Sequence, residues 1–160
     1  GDINTYAVFA ETTRNLISTD GRVGVILPVG IATDDTTKKY FGDLIESQSL
    51  GSLTGFENEA FIFPSVHHAF KFCTLVVTGE NIKFEQADFT FFCRYFTDAN
   101  NQQRHFNLSS TEIALINPNT LTCPIFRTRN DAEITKKIYQ HVPVLENEKT
   151  GSNPWSMSFM

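Results

Sequence analysis

Few residues in this chain have both the type and the spacing to do chemistry. Four histidines could act as bases or ligands: His67, His68, His105 and His141. His67-His68 looks at first like a metal pair. Adjacent residues of an extended chain point apart, and no carboxylate or third histidine stands at ligand spacing. A loop-surface or packing role is expected, and no metal. Cys73, Cys93 and Cys123 fit no C-x-x-C pattern. Cys73 sits in an apolar run and reads as a small core residue. Reduced thiols and a cytoplasmic location are the matching expectations. Thr33-Asp34-Asp35 pairs two carboxylates, but an N-cap and a charged first helical turn account for them fully. No Ser-His-Asp set is recognisable. Gly21-Arg22-Val23-Gly24 is not a phosphate loop, and no G-x-x-x-x-G-K-[ST] or post-strand G-x-G-x-x-G occurs. No catalytic residue is assigned within the chain.

The aromatic residues carry more information. The sequence holds 15 Phe, which implies aromatic packing or apolar surface meant for a partner. In Phe61-Ile62-Phe63-Pro64-Ser65-Val66, apolar residues and a proline occupy a loop just before a buried strand. Two readings stay open there. The loop could cap the core, or its aromatic face could line a pocket. A flat base can be held in such a pocket by stacking, which contributes about 1–3 kcal/mol per base.

Elements must position these residues. Tyr6, Phe9, Ala10, Thr13, Leu16 and Ile17 form one apolar stripe at helical spacing, stopped by Gly21. On this reading Phe9 is a core residue. Val23-Gly24-Val25-Ile26-Leu27, closed by Pro28, reads as a strand buried on both faces, as in a parallel sheet. Thr37, Tyr40, Phe41, Leu44 and Ile45 continue as a helix capped at Thr33-Asp34-Asp35. Residues 1–47 thus alternate helix, strand, helix, which indicates an α/β layer structure. Strands are predicted over Leu50–Phe56 and Phe70–Val77. With no helix between them, these two pair antiparallel.

From Gln86 onward two periodicities compete. Phe89, Phe92, Cys93 and Phe96 stand at helical spacing behind Asp88, whereas Phe89, Phe91, Cys93 and Tyr95 alternate. The helix is preferred. Asp98–Gln103 reads as a polar loop. Ser109 and Ser110 cap a short helix through Ile116, broken at Asn117-Pro118. Asp131 caps another helix, carrying Ile134, Ile138 and Tyr139 and ending before Pro143. Residues 145–153 read as a linker. The organisation expected is 1–80 as part of an α/β domain, 81–145 as a mainly helical extension, and 146–160 as a connector.

Composition bounds the rest. A length of 160 residues suits one domain, and a body of that size buries roughly 70% of its unfolded surface. No segment approaches the ~18 unbroken apolar residues of a membrane span, and no signal peptide is visible. A net charge of −5 excludes nucleic-acid binding through bulk charge alone. Gly1-Asp2 at the start and the apolar, aromatic run Asn153–Met160 at the end lead us to expect a piece of a longer polypeptide.

The order of motifs resembles the C-terminal half of a DNA adenine-N6 methyltransferase domain. The residues that carry this are Asn4-x-Tyr6-x-x-Phe9-x-Glu11, Gly21-Arg22-Val23-Gly24-Val25-Ile26-Leu27-Pro28, and Phe63-Pro64-x-Val66 running into a strand. The set is similar to TaqI-type enzymes, and more so to the large Eco57I-like methylases of restriction-modification and phage-defence systems. Ile113–Arg127, Asp131-Ala132-Glu133, Ile138–Leu145 and Asn153-Pro154-Trp155 look like the segment leading those methylases toward their target-recognition region. The resemblance covers essentially the whole chain.

It implies a partial Rossmann-like sheet that binds S-adenosylmethionine, ending in an antiparallel strand pair. It implies double-stranded DNA as partner and methyl transfer to N6 of a flipped adenine, with no metal. Phe63 matches the aromatic that stacks on the flipped base, with Pro64 supporting the loop and Phe61 as the fallback. Phe9 matches the aromatic that packs by the cofactor's adenine. Pro28 closes a strand whose end faces the ligand crevice. The family's glycine-rich cofactor loop and Asn-Pro-Pro-Tyr-type catalytic loop do not occur here, so the chain alone is expected not to methylate DNA. The competing expectation is a non-catalytic methylase-like interaction module. A nucleotide-binding α/β protein of other chemistry is a remote third, since it lacks any phosphate motif. Half a sheet would also expose a strand edge, so self-association is expected.

Overall fold

A computed structural model describes residues 4–158. Helix α1 spans Thr5–Asn15 and leads to strand β1, Arg22–Pro28. A short helix α2, Gly30–Thr33, and a 3-10 turn precede α3, Lys38–Glu46. Strands β2, Leu50–Glu57, and β3, Lys71–Thr78, follow, then β4, Gln86–Cys93, and β5, Phe106–Ser109. Helices α4, Ser110–Ile116, and α5, Arg129–His141, close the order.

The five strands form one mixed sheet in the order β1-β3-β2-β4-β5. Strand β3 runs antiparallel to both β1 and β2, and β2 runs parallel to β4. Hence β1, β2 and β4 point the same way and their carboxyl ends share one edge of the sheet. The antiparallel β2–β3 pair is as expected. One face carries Val25, Leu27, Leu53, Cys73, Leu75, Val77, Ala87 and Phe89. They join Ala10, Phe41, Leu44, Ile113 and Ala132 of the helices in one core cluster. Gly55 lies on this face without a side chain because the Phe91 ring crosses it; a Cβ there would stand 2.6 Å from a ring carbon. The opposite face carries Gly24, Ile26, Ser52, Thr54, Thr74 and Val76, half-buried or exposed.

Several expectations change. The segment from Gln86 is strand β4, not a helix. It pairs with β2 on one side and β5 on the other. Phe89 and Phe91 stack with Phe106 of β5, at 5.7 and 6.1 Å between centroids, so cross-strand aromatic packing decides between the two periodicities. The region 81–145 therefore holds two strands as well as two helices, and the sheet runs across residue 80.

Strand β1 is not buried on both faces. It is an edge strand with Ile26 57% exposed. Val29 donates to the Lys71 carbonyl at 3.2 Å and Gly79 to the Gly21 carbonyl at 3.0 Å. The odd residues of β1 therefore bond β3, and Arg22, Gly24 and Ile26 turn their backbone groups to the free edge.

The carboxylates also change role. Thr33 closes α2 rather than capping α3, and neither Asp34 nor Thr37 makes a side-chain cap. Asp35 pairs instead with Lys38 at 2.6 Å. Helix α5 is capped by Thr128, with Asp131 returning the bond three residues on, and its Ile134 and Ile138 are exposed. Helix α4 has the expected Ser109 cap, completed by Glu112. Residues 147–152 form a small bridged turn. Among the described residues, no helix is long and apolar enough to cross a membrane.

Candidate functional site

The loop between β2 and β3 stands at the edge where β1, β2 and β4 end. Its organiser is Asn58, which is fully buried. The Asn58 Nδ2 donates to the carbonyls of Phe63, at 3.0 Å, and Val66, at 2.8 Å. Its Oδ1 accepts the Phe63 N–H at 2.9 Å. Its backbone N–H donates to the Phe70 carbonyl at 3.1 Å, and its carbonyl accepts the Phe61 N–H at 2.8 Å. One side chain thus replaces the ladder that a loop lacks. Sequence reading passed over Asn58 as ordinary loop. Nothing in the sequence marks it out, because its burial is a tertiary property.

Phe63 is held at the backbone, and the residue is 37% exposed. Its ring meets Phe72 edge-on, with centroids 4.9 Å apart. Phe72 stacks on Phe56 at 5.1 Å, and Phe56 meets Phe96 at 5.9 Å. Phe63 is therefore one end of a row of four rings whose middle pair, Phe72 and Phe56, lies in the sheet; Phe96, 68% exposed, is the other end. Such a row fixes ring orientation at low entropic cost and leaves an end ring free to receive another flat group. Pro64 follows it, also exposed. Phe61 is 53% exposed with φ 50°, a left-handed conformation that costs a non-glycine residue about 1–2 kcal/mol. Its ring lies toward His68, at 6.3 Å, rather than in the row.

His67 and His68 do not point apart. They lie in the loop with rings 4.4 Å apart. His67 accepts the Ala69 N–H, and Glu59, which the spacing argument overlooked, stands 3.2 Å from His68 Nδ1. The described residues contain no group of three or more metal-ligating side chains.

The same edge carries cations. Glu57 accepts from Arg94 at 3.1 Å and faces Lys71 at 3.8 Å. Strand β4 bulges there: Thr54 opposes Thr90, yet Phe56 opposes Cys93, and Phe92 takes φ 60°. The bulge places the Phe92 ring within reach of Lys71, at 6.0 Å, and Arg127, at 4.4 Å. Sequence reading gave neither cation a role.

Phe9 is 55% exposed, so it is not the core residue the helical stripe suggested; Ala10 is the buried member of α1. Among the described residues Phe9 forms no aromatic pair. It also does not line the cleft of about 960 Å³ between α1 and α3, where Arg14 pairs with Asp43. The three cysteines are free and buried. Burial pushes the Cys73 thiol up to about 12 and Cys93 to about 11, and raises Cys123 well above its ordinary value. Burial thereby favours the thiol over the nucleophilic thiolate at all three.

The class these features define is an α/β protein with a five-strand mixed sheet and an aromatic, cation-flanked edge at the strand carboxyl ends. In structure, the chain is similar to the type IIG restriction endonuclease BpuSI, with 15% identity and a TM-score of 0.47. The match covers 89% of this chain and 16% of that one, so the chain spans about a sixth of that enzyme's length. No family model matches the sequence. No curated protein matches it either.

Proposed function

We propose that this chain is the target-base side of an S-adenosylmethionine-dependent DNA adenine-N6 methyltransferase, acting as part of a larger enzyme. The observation that carries the reading is Phe63: an exposed ring, fixed by Asn58 and backed by three further rings, at the carboxyl ends of three like-directed strands. Ligands of open α/β sheets bind at that edge.

A base inside a duplex hides its amino group, so a reacting adenine must leave the stack. Phe63 would receive its face, and Pro64 would limit the loop's freedom. Stacking orients the ring without reading sequence, because every base has a π-face. The chain's own contribution is orientation. S-Adenosylmethionine, when bound, supplies an already activated methyl group. The exposed, unpaired ring of Phe9 fits an aromatic wall for its adenine. The sequence has no glycine-rich cofactor loop and no Asn-Pro-Pro motif, so we propose that the isolated chain is inactive.

The test is Phe63→Ala in a polypeptide that also carries those two loops. Losing one stacked base contact, about 1–3 kcal/mol, should weaken target binding roughly 5- to 150-fold and lower turnover. Normal methyl transfer by that variant would sink the stacking role. The alternative, a non-catalytic interaction module, is favoured by one observation: the free, apolar edge of β1. Under that reading the edge binds a partner, and Phe63→Ala is silent.

A further inference from the structure

We infer that Arg127, braced on the Phe92 ring, is a phosphate contact for the DNA strand whose base reaches Phe63. The inference rests on the stacking reading above, and adds a backbone anchor to it.

Four observations support it. First, Arg127 is exposed and, among the described residues, makes no ion pair; Arg22 and Arg129 share that state, but the Arg127 guanidinium lies against a ring at 4.4 Å, closer than Arg22 at 6.0 Å. A guanidinium laid on an aromatic face keeps its in-plane N–H donors free, the geometry suited to bidentate phosphate binding. Second, its segment is fixed. Phe126 packs edge-on to the core ring of Phe106 at 5.3 Å, and Arg129 bonds the carbonyls of Gln103 and His105 at 2.9 and 3.1 Å. Third, the support is built at a cost: Phe92 adopts a left-handed backbone that turns its ring into this position. Fourth, Lys71 adjoins Phe72, which meets Phe63, so cation and stacking ring sit on one strand start. Lys71 and Arg94 both face Glu57, at 3.8 and 3.1 Å, so Arg127 is the cation that a phosphate would find uncompensated at this edge.

The experiment is fluorescence anisotropy of the 160-residue chain against a duplex in which one adenine faces an abasic position, titrated with salt. A neutralised phosphate releases counterions and steepens the salt dependence by about one unit in log-log slope. Arg127→Gln is expected to weaken binding about 3- to 10-fold and flatten that slope by about one. Arg127→Lys should keep the slope. Thermal melting of each variant accompanies the titration.

An unchanged slope with Arg127→Gln overturns the inference, and so does a loss of affinity that tracks a lower melting temperature at constant slope. Absence of binding by the intact chain overturns it too, leaving the stacking reading to its methylation assay. If Arg127→Gln flattens the slope while Phe63→Ala changes nothing, the phosphate contact stands and the stacking reading falls.

Discussion

At the residue scale, Asn58 does the most with one side chain. It makes three side-chain hydrogen bonds inside the loop that carries Phe63. A buried amide is costly unless every group is paired, and here the partners are backbone groups, of which the Phe63 N–H and the Val66 carbonyl have no other partner among the described residues. Asn58→Ala leaves the Phe63 N–H and the Val66 carbonyl without their partner, while the Phe63 carbonyl keeps the Val66 N–H. Its expected cost is about 2–3 kcal/mol, read as a lower urea midpoint at constant slope. Since the loop and not the core is loosened, hydrogen exchange should rise first at Phe63 and Val66. Unchanged exchange there would show that the loop holds itself.

At the element scale, α4 and α5 are joined by charge as well as packing. Glu112 completes the Ser109 capping box and pairs with Lys136 of α5 at 3.1 Å, while Glu133 meets the same lysine at 2.6 Å. Partial burial alone would raise the Glu112 carboxyl, but the Ser109 N–H and the Lys136 ammonium outweigh it and hold the carboxyl below its ordinary 4.5. The N–H groups of Arg94 and Tyr95 lower Asp98 likewise. A carboxylate lowered in the folded state adds stability that is complete above its unfolded value. That stability is lost as pH falls through the lower folded value. Stability should therefore be level near neutrality and decline from about pH 4.5 downward. Glu112→Gln should lower the melting temperature at pH 7 and shrink the acid decline. A variant that declines as steeply as the parent would remove Glu112 from this account.

At the scale of the molecule, the sheet is covered on one face and open along β1. Arg22, Gly24 and Ile26 offer backbone donors and acceptors outward, on a strand whose centre carries no charge and no bulge. Such an edge suits pairing with a further strand. For the isolated chain we predict concentration-dependent self-association through β1. Ile26→Lys should abolish it in sedimentation velocity without unfolding the protein, because the side chain faces solvent. If association survives Ile26→Lys, β1 is not the contact.

The sequence by itself determined the α/β class, the β2–β3 pair, the ends of α4, and the loop containing Phe63 and Pro64. These follow from local signals: apolar runs, capping residues and a proline. It left β4 between helix and strand because a phenylalanine-rich segment satisfies both periods at once; only the neighbours β2 and β5 settle it. It read β1 as interior because its residues are interior in type, while their burial depends on what lies beside them. Phe9 followed the helical stripe yet faces outward, since one helix packs only part of its apolar surface on α3 and β1. The role of Asn58 and the Arg127–Phe92–Lys71 grouping stayed out of reach. Asn58 bonds near neighbours, but its burial is a tertiary property, and the grouping joins residues far apart in sequence; only folding fixes either.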